Sequence, residues 1–278
     1  MRVAFLGPAG TFTQMAARRL FGASADLPRA TIEGVFDAVR SFEADAGVVP
    51  IENSTEGAVT LTADALLEGD LLIQREIVLE VGHALVGEGE DLSRVRTVHS
   101  HPQALAQCRA WLAQHLPHAS RVEATSTAAA AAAVVGKNEE AAIATPLAAE
   151  LAKLSVLAEG IQDRADNATR FVVIAREDAK PTGDDKTSIA FVIQDEKGGL
   201  RRVLSLFEDA GVNLTRIESR PLARAARFNA DERATWKYVF LVDLQGHRLD
   251  AHVAGALTAL EAKASRVKIL GSYPRDRS

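Results

Sequence analysis

The chain has 278 residues, of which 47% are hydrophobic and 25% charged, a balance suited to a soluble globular protein of two or three domains. A formal net charge of -5 argues against a dedicated nucleic-acid binder, which usually carries a basic field to neutralise phosphates. Cys108 is the single cysteine, which excludes an intrachain disulfide and argues against a cysteine-built metal site.

The sequence opens MRVAFLGPAG. Its apolar run is about four residues long, too short for the core of a signal peptide. No stretch approaches the roughly 20 apolar residues that span a bilayer. A cytoplasmic protein with no membrane partner is expected.

Short apolar runs alternate with helical patterns over the first 175 residues. Strands are expected at 3–6, 47–51, 95–99, 122–125, 141–144 and 171–175. Helices are expected at 13–21, from about 56, at 102–116, 127–135 and 146–154. Pro102 and Pro146 sit just inside helix starts, where a missing N–H costs nothing. This alternation predicts an α/β part with largely parallel sheets, and its length suits two lobes around a cleft. Residues 177–185 (EDAKPTGDD) are polar and aperiodic and read as a linker. Beyond it come a strand at 188–193, a helix at 200–210, strands at 214–219 and 237–244, a helix at 250–264 and a strand at 267–270. That βαββαβ order predicts a ferredoxin-like antiparallel sheet with two helices on one face. Residues 222–235 form a long Arg-rich insertion expected to be mobile.

Four polar clusters stand at the ends of apolar strands, where open α/β sheets bind ligands. In GPAGTFT, residues 7–13, backbone N–H groups with Thr11 and Thr13 suit a carboxylate at a helix start, although a plain Thr-capped turn is the simpler account of the segment taken alone. VVPIENSTEG, residues 48–57, crowds Glu52, Asn53, Ser54 and Thr55 into a turn where a cap needs only one of them. In HSHPQALAQC, residues 99–108, Ser100 is a candidate cap, and Gln103 and Gln107 share a helix face. His99 and His101 lack a third metal ligand nearby, and Cys108 reads as a buried, inert thiol. NATRFVVI, residues 167–174, sets Asn167, Thr169 and Arg170 before an apolar strand, and a strand edge with one surface Arg is the bland alternative. Hydroxyls, amides and helix starts suit a small polyanion, and chemistry that needs positioning and hydrogen bonding more than a strong nucleophile.

GPAGTFT, VVPIENSTEG, SHPQALAQC, ATSTAAAA and NATRF, in that order, resemble the prephenate dehydratase family. IESRP at 217–221 and LGSYPR at 270–275 resemble the ACT domain fused to such enzymes. The resemblance implies a catalytic domain at 1–176 with two lobes like those of periplasmic binding proteins. It also implies a linker at 177–185 and a regulatory ACT domain at 186–278. The implied reaction is loss of water and carbon dioxide from prephenate to give phenylpyruvate, with no cofactor and no metal. Thr169 would lead catalysis, with Asn53, Ser100, Gln107 and Glu52 beside it; Glu52, if protonated, is the rival proton donor. Thr11, Ser54, Arg170, Phe171, Ser126 and Thr127 would bind substrate. Phenylalanine, the implied feedback effector, would sit between Gly198, Gly199 and Leu200 and the run Glu218, Ser219, Arg220 and Pro221. The family's loop usually reads Pro-Gly-Ala-Leu; here Lys197 replaces the Pro, which predicts a looser loop. A homodimer or homotetramer is implied. Arogenate as substrate and a non-catalytic binding or sensor protein are the alternatives, and the missing N-terminal mutase segment points to a monofunctional enzyme.

Overall fold

In a computed structural model, residues 1–22, 26–89, 91–221 and 238–277 are described, and they build three sheets. The insertion expected at 222–235 lies outside the described residues.

Lobe 1 begins with β1 (Val3–Leu6), α1 (Phe12–Phe21), β2 (Asp26–Arg29), α2 (Ile32–Arg40), β3 (Ala46–Asn53), β4 (Gly57–Ala58), α3 (Thr60–Glu68) and β5 (Leu72–Glu80). Lobe 2 follows, with β6 (Ala84–Gly87), β7 (Thr97–Ser100), α4 (Pro102–Gln107), α5 (Arg109–His115), β8 (Ser120–Glu123), α6 (Thr127–Ala133), β9 (Glu140–Ala144), α7 (Pro146–Ala152) and β10 (Ser155–Glu159). The chain then returns to lobe 1 as β11 (Ala168–Ala175), which inserts between β3 and β5. Two crossovers therefore join the lobes, the plan of periplasmic binding proteins. They run side by side: Val81 N–H donates to the Asn167 carbonyl at 2.8 Å, and Ile161 N–H to the His83 carbonyl at 3.1 Å.

Both lobe sheets are mixed, which corrects the expectation of largely parallel ones. β1 pairs in parallel with β2 and β3, but β11 lies antiparallel to both β3 and β5. In lobe 2, β7 is parallel to β8 and β9, while β6 is antiparallel to β9 and β10. The returning crossovers reverse the direction of the inserted strands. Short hydroxyl caps start the helices: Thr11, Thr31, Ser126 and Thr145 each accept a backbone N–H of the first turn. Two helices depart from expectation. The helix anticipated at 102–116 breaks at Cys108, where the Asp163 carboxylate accepts N–H bonds from Ala110 and Trp111 and starts α5 anew. The helix anticipated from Glu56 starts at Thr60, because β4 first pairs back onto β3.

The C-terminal unit is β12 (Asp185–Val192), α8 (Gly199–Asp209), β13 (Leu214–Pro221), β14 (Tyr238–Gln245), α9 (Ala251–Glu261) and β15 (Arg266–Pro274), with the antiparallel sheet order β13-β14-β12-β15. Ile189, Phe191, Val242 and Leu244 face the two helices. Ala190, Val192, Val239, Leu241 and Tyr273 share a core with lobe 1. The approach is close: a Cβ on Gly271 would lie 2.2 Å from the Ile73 carbonyl oxygen. Lys268 of β15 donates to the carbonyls of Leu66 at 2.7 Å and Leu67 at 2.9 Å, and to that of Gly69, at the C-terminal end of α3. The segment read as a linker is tied down as well, since Ala179 N–H donates to Ser272 and Asp178 pairs with Arg248.

Candidate active site

A cleft of about 350 Å³ opens between the lobes, lined by Thr11, Thr13, Asn53, His83, Gln107, Ser126, Thr127, Asn167, Thr169 and Phe171 among others. That volume suits a small, polar, ring-sized ligand. At one side the lobes touch. Thr145 donates to the Gly10 carbonyl at 2.6 Å, and a Cβ on Gly10 would press to 2.9 Å from that of Ala148, so only glycine fits here.

The pairing of β3 with β11 brings Asn53 opposite Thr169. Cross-strand partners share a face. Asn53 Nδ2 donates to Thr169 Oγ1 at 2.8 Å, to Asn167 Oδ1 at 2.8 Å and to the Ala168 carbonyl at 3.2 Å. Asn53 Oδ1 in turn accepts the N–H groups of Thr55 and Glu56, so the amide cannot flip without losing bonds at both ends. A hydroxyl that accepts from Asn53 must send its own hydrogen elsewhere, and Thr169 faces the cleft. Ser54 serves this arrangement from outside: its Oγ donates to the Asp166 carbonyl and accepts from Ala168 N–H, fixing the returning crossover. Thr11 donates to the Leu6 carbonyl at 3.2 Å, and Ser126 accepts Ala129 N–H at 2.9 Å. Phe171 is buried in the lobe 1 core with its ring bordering the cleft.

Three residues expected at the site point away from it. Ser100 is fully buried and donates to the Ile143 carbonyl at 2.8 Å, a bond within the lobe 2 sheet. Glu52 and Arg170 neighbour Asn53 and Thr169 in sequence, and strand alternation therefore turns them to the opposite face. There Arg170 binds Glu76 Oε2 at 2.7 Å, Asp243 Oδ2 at 2.7 Å and Tyr273 Oη at 2.8 Å, which commits its Nε and both terminal nitrogens to the domain interface. Lys186 binds Glu76 at 2.8 Å, Ser188 binds Asp243 at 2.6 Å, and Arg216 reaches Glu52 at 3.2 Å. Burial alone would pull the Arg170 pKa down, but Tyr273, Asp243 and Glu76 hold it raised. Burial would push the Asp243 carboxyl up, yet Arg170 and the Ser188 hydroxyl keep it below the ordinary carboxylate range. Burial raises the Tyr273 phenol, which stays protonated.

The expected effector residues lie at one end of the C-terminal sheet. Gly198, at φ +74°, caps α8, and Arg202 braces the loop by donating to the Lys197 carbonyl at 3.0 Å and pairing with Glu196. Glu218 and Arg220 turn toward lobe 1: Arg220 pairs with Asp64 of α3 at 2.8 Å, and Glu218 pairs with Arg216. Ser219 and Pro221 are exposed on the other face. His83 carried no sequence signal, standing in an apolar run, and the fold brings it into the cleft beside Gln107. Among the described residues no group of three His, Cys, Asp or Glu side chains is placed to hold a metal, and no helix is long and apolar enough to cross a membrane.

Fold and cleft together define a two-lobed α/β enzyme that carries an ACT-type unit on lobe 1. A family model described as prephenate dehydratase matches residues 3–179, and one described as ACT domain matches residues 187–262. The chain is 45% identical over 276 residues to a bifunctional chorismate mutase/prephenate dehydratase of Aquifex aeolicus, covering 99% of this chain and 74% of that one. It is 42% identical over 278 residues to a prephenate dehydratase of Amycolatopsis methanolica, covering 99% and 88%. Among solved structures, a prephenate dehydratase of Arthrobacter aurescens in complex with L-Phe superposes with a TM-score of 0.87 at 40% identity, covering 99% and 90%. A protein described as GqqA, a novel type of quorum quenching acylase, superposes at 0.88 with 31% identity, covering 100% and 99%. The chain belongs to the prephenate dehydratase family, lyases that remove water and carbon dioxide from prephenate to give phenylpyruvate.

Proposed function

We propose that Thr169 is the proton-donating group of this dehydratase and that Asn53 orients it. The carrying observation is the 2.8 Å bond from Asn53 Nδ2 to Thr169 Oγ1, which commits a hydroxyl lone pair to Asn53 and leaves the hydroxyl hydrogen for the cleft. In the reaction the ring carboxylate leaves as carbon dioxide, and its bonding electrons enter the ring. The ring C–O bond breaks, and the hydroxyl departs as water with one added proton. Aromatisation drives the step, so a strong acid is unnecessary; a fixed donor at the departing oxygen stabilises the charge that develops there. Gln107, Ser126 and Thr127 supply donors for the side-chain carboxylate. The ring carboxylate is held weakly, because tight binding would stabilise the ground state. Cys108 offers no thiolate for acyl transfer, since burial and nearby Asp163 push its thiol up to about 12.

Phenylalanine is the effector in this reading, bound at the end of the ACT sheet by the 198–200 loop and the backbone of 218–221, in a cytoplasmic homodimer or homotetramer. The Arg220–Asp64 and Arg216–Glu52 pairs connect that end to α3 and β3, and Asn53 lies on β3. A shift of β13 on binding would bias Asn53 through these pairs. The test is to supply prephenate to the purified chain and follow phenylpyruvate with and without phenylalanine. Product that phenylalanine suppresses supports both halves. No product removes the catalytic reading, and product indifferent to phenylalanine removes the regulatory one.

A further inference from the structure

His83 has no task in the reading above. The residue is 3% exposed. Phe12 of lobe 1 meets it edge-on at a centroid distance of 5.8 Å. From lobe 2, Gln107 Oε1 lies 2.8 Å from its Nε2. The backbone is fixed on both sides, since His83 N–H donates to Gln162 Oε1 at 2.9 Å and its carbonyl accepts from Ile161 at 3.1 Å. Its Nδ1 is buried without a hydrogen-bond partner among the described residues.

An oxygen at Nε2 requires the ring hydrogen to be there, so a neutral ring carries a bare lone pair at Nδ1. A second proton would sit on a buried nitrogen with nothing to accept it, and burial accordingly lowers the ring's pKa. Gln107 has one amide oxygen and one NH2 group. With the oxygen held on His83, the NH2 is turned to the cleft that both residues line. An unheld amide presents either end, and its oxygen repels a carboxylate.

We infer that His83 is a positioning residue for substrate binding: its Nε2–H holds Gln107 Oε1, so that the Gln107 NH2 donates to a carboxylate of the substrate. This rests on the reading of Gln107 as part of the prephenate site. The test is a double-mutant cycle of His83→Leu, Gln107→Leu and the pair, with kcat and KM measured for prephenate. His83→Leu should lower kcat/KM roughly tenfold, the worth of one buried hydrogen bond, chiefly through KM. His83→Gln, whose amide N–H reaches the place of Nε2, should recover most of it. The double variant should be no worse than Gln107→Leu alone. An impaired Gln107→Leu on which the His83→Leu loss simply adds overturns the positioning role and leaves Gln107 in the site. A fully active Gln107→Leu overturns the reading of Gln107 and this inference together. Nitrogen-15 NMR of the unaltered protein needs no variant to fold: a neutral Nε2–H ring at pH 7 is expected, and an Nδ1–H tautomer or an imidazolium overturns the proposal.

Discussion

Asn53 and Thr169 look into the cleft; Glu52 and Arg170, one residue away on the same two strands, look into the domain interface. The two faces are built on different principles. Toward the cleft the groups are neutral, and the bonds among them leave the Thr169 hydrogen uncommitted. Toward the interface the groups are charged and every charge is answered: Arg170 and Lys186 meet Glu76 and Asp243, whose side chains are 1% and 4% exposed. A buried network of paired charges fixes geometry, while an oriented group with spare capacity is available to a ligand. One strand pair thus borders the cleft on one side and the ACT unit on the other.

The largest expected effect is at the cleft. Thr169→Val should lower kcat by roughly 100-fold or more, the scale of losing one transition-state donor, with little change in melting temperature. The interface should give the reverse. Arg170→Leu leaves Asp243 buried without its cation and Glu76 with Lys186 alone, and should cost about 3–5 kcal/mol of stability in denaturant titrations. A milder probe is Lys268→Met, which uncovers the last carbonyls of α3 and should cost about 1 kcal/mol, read as a small fall in melting temperature. Smallest is the pH response of His83. Its pKa is lowered by burial, so the unfolded chain takes up a proton, near pH 6.5, that the folded chain resists. The associated stability is complete above about pH 6.5 and is lost as pH falls below it toward the folded value. Melting curves between pH 7.5 and 5.5 should show this slope, and His83→Gln should flatten it. Asp243 contributes in the same sense, but only in stronger acid, because its carboxyl is held below the ordinary range.

Much of this plan is legible in the sequence. Polar clusters that interrupt apolar strands mark the strand ends, and these converge on the cleft. The βαββαβ order of the C-terminal unit follows from its periodicity alone. The interface is harder to see. β5 reads LIQREIVLE, and the charges of Arg75 and Glu76 disguise a strand whose Glu76 is buried by ACT-domain partners far along the chain. Arg170 resembles a substrate ligand because it adjoins Thr169, although alternation along β11 already sends it to the other face. α2 carries a readable Thr31 cap and apolar spacing at Ile32, Val35, Phe36 and Val39. His83 had no such mark; only the crossover that juxtaposes Phe12 and Gln107 gives it meaning.

The account stands on the Thr169 hydroxyl, and the most direct measurement is kcat of Thr169→Ser beside Thr169→Val at saturating prephenate. Serine keeps the hydroxyl that Asn53 orients and removes only the methyl. The account predicts Thr169→Ser within about tenfold of the unaltered enzyme, while Thr169→Val falls by roughly 100-fold or more. Equal losses in the two variants, or near-normal turnover in Thr169→Val, would contradict it.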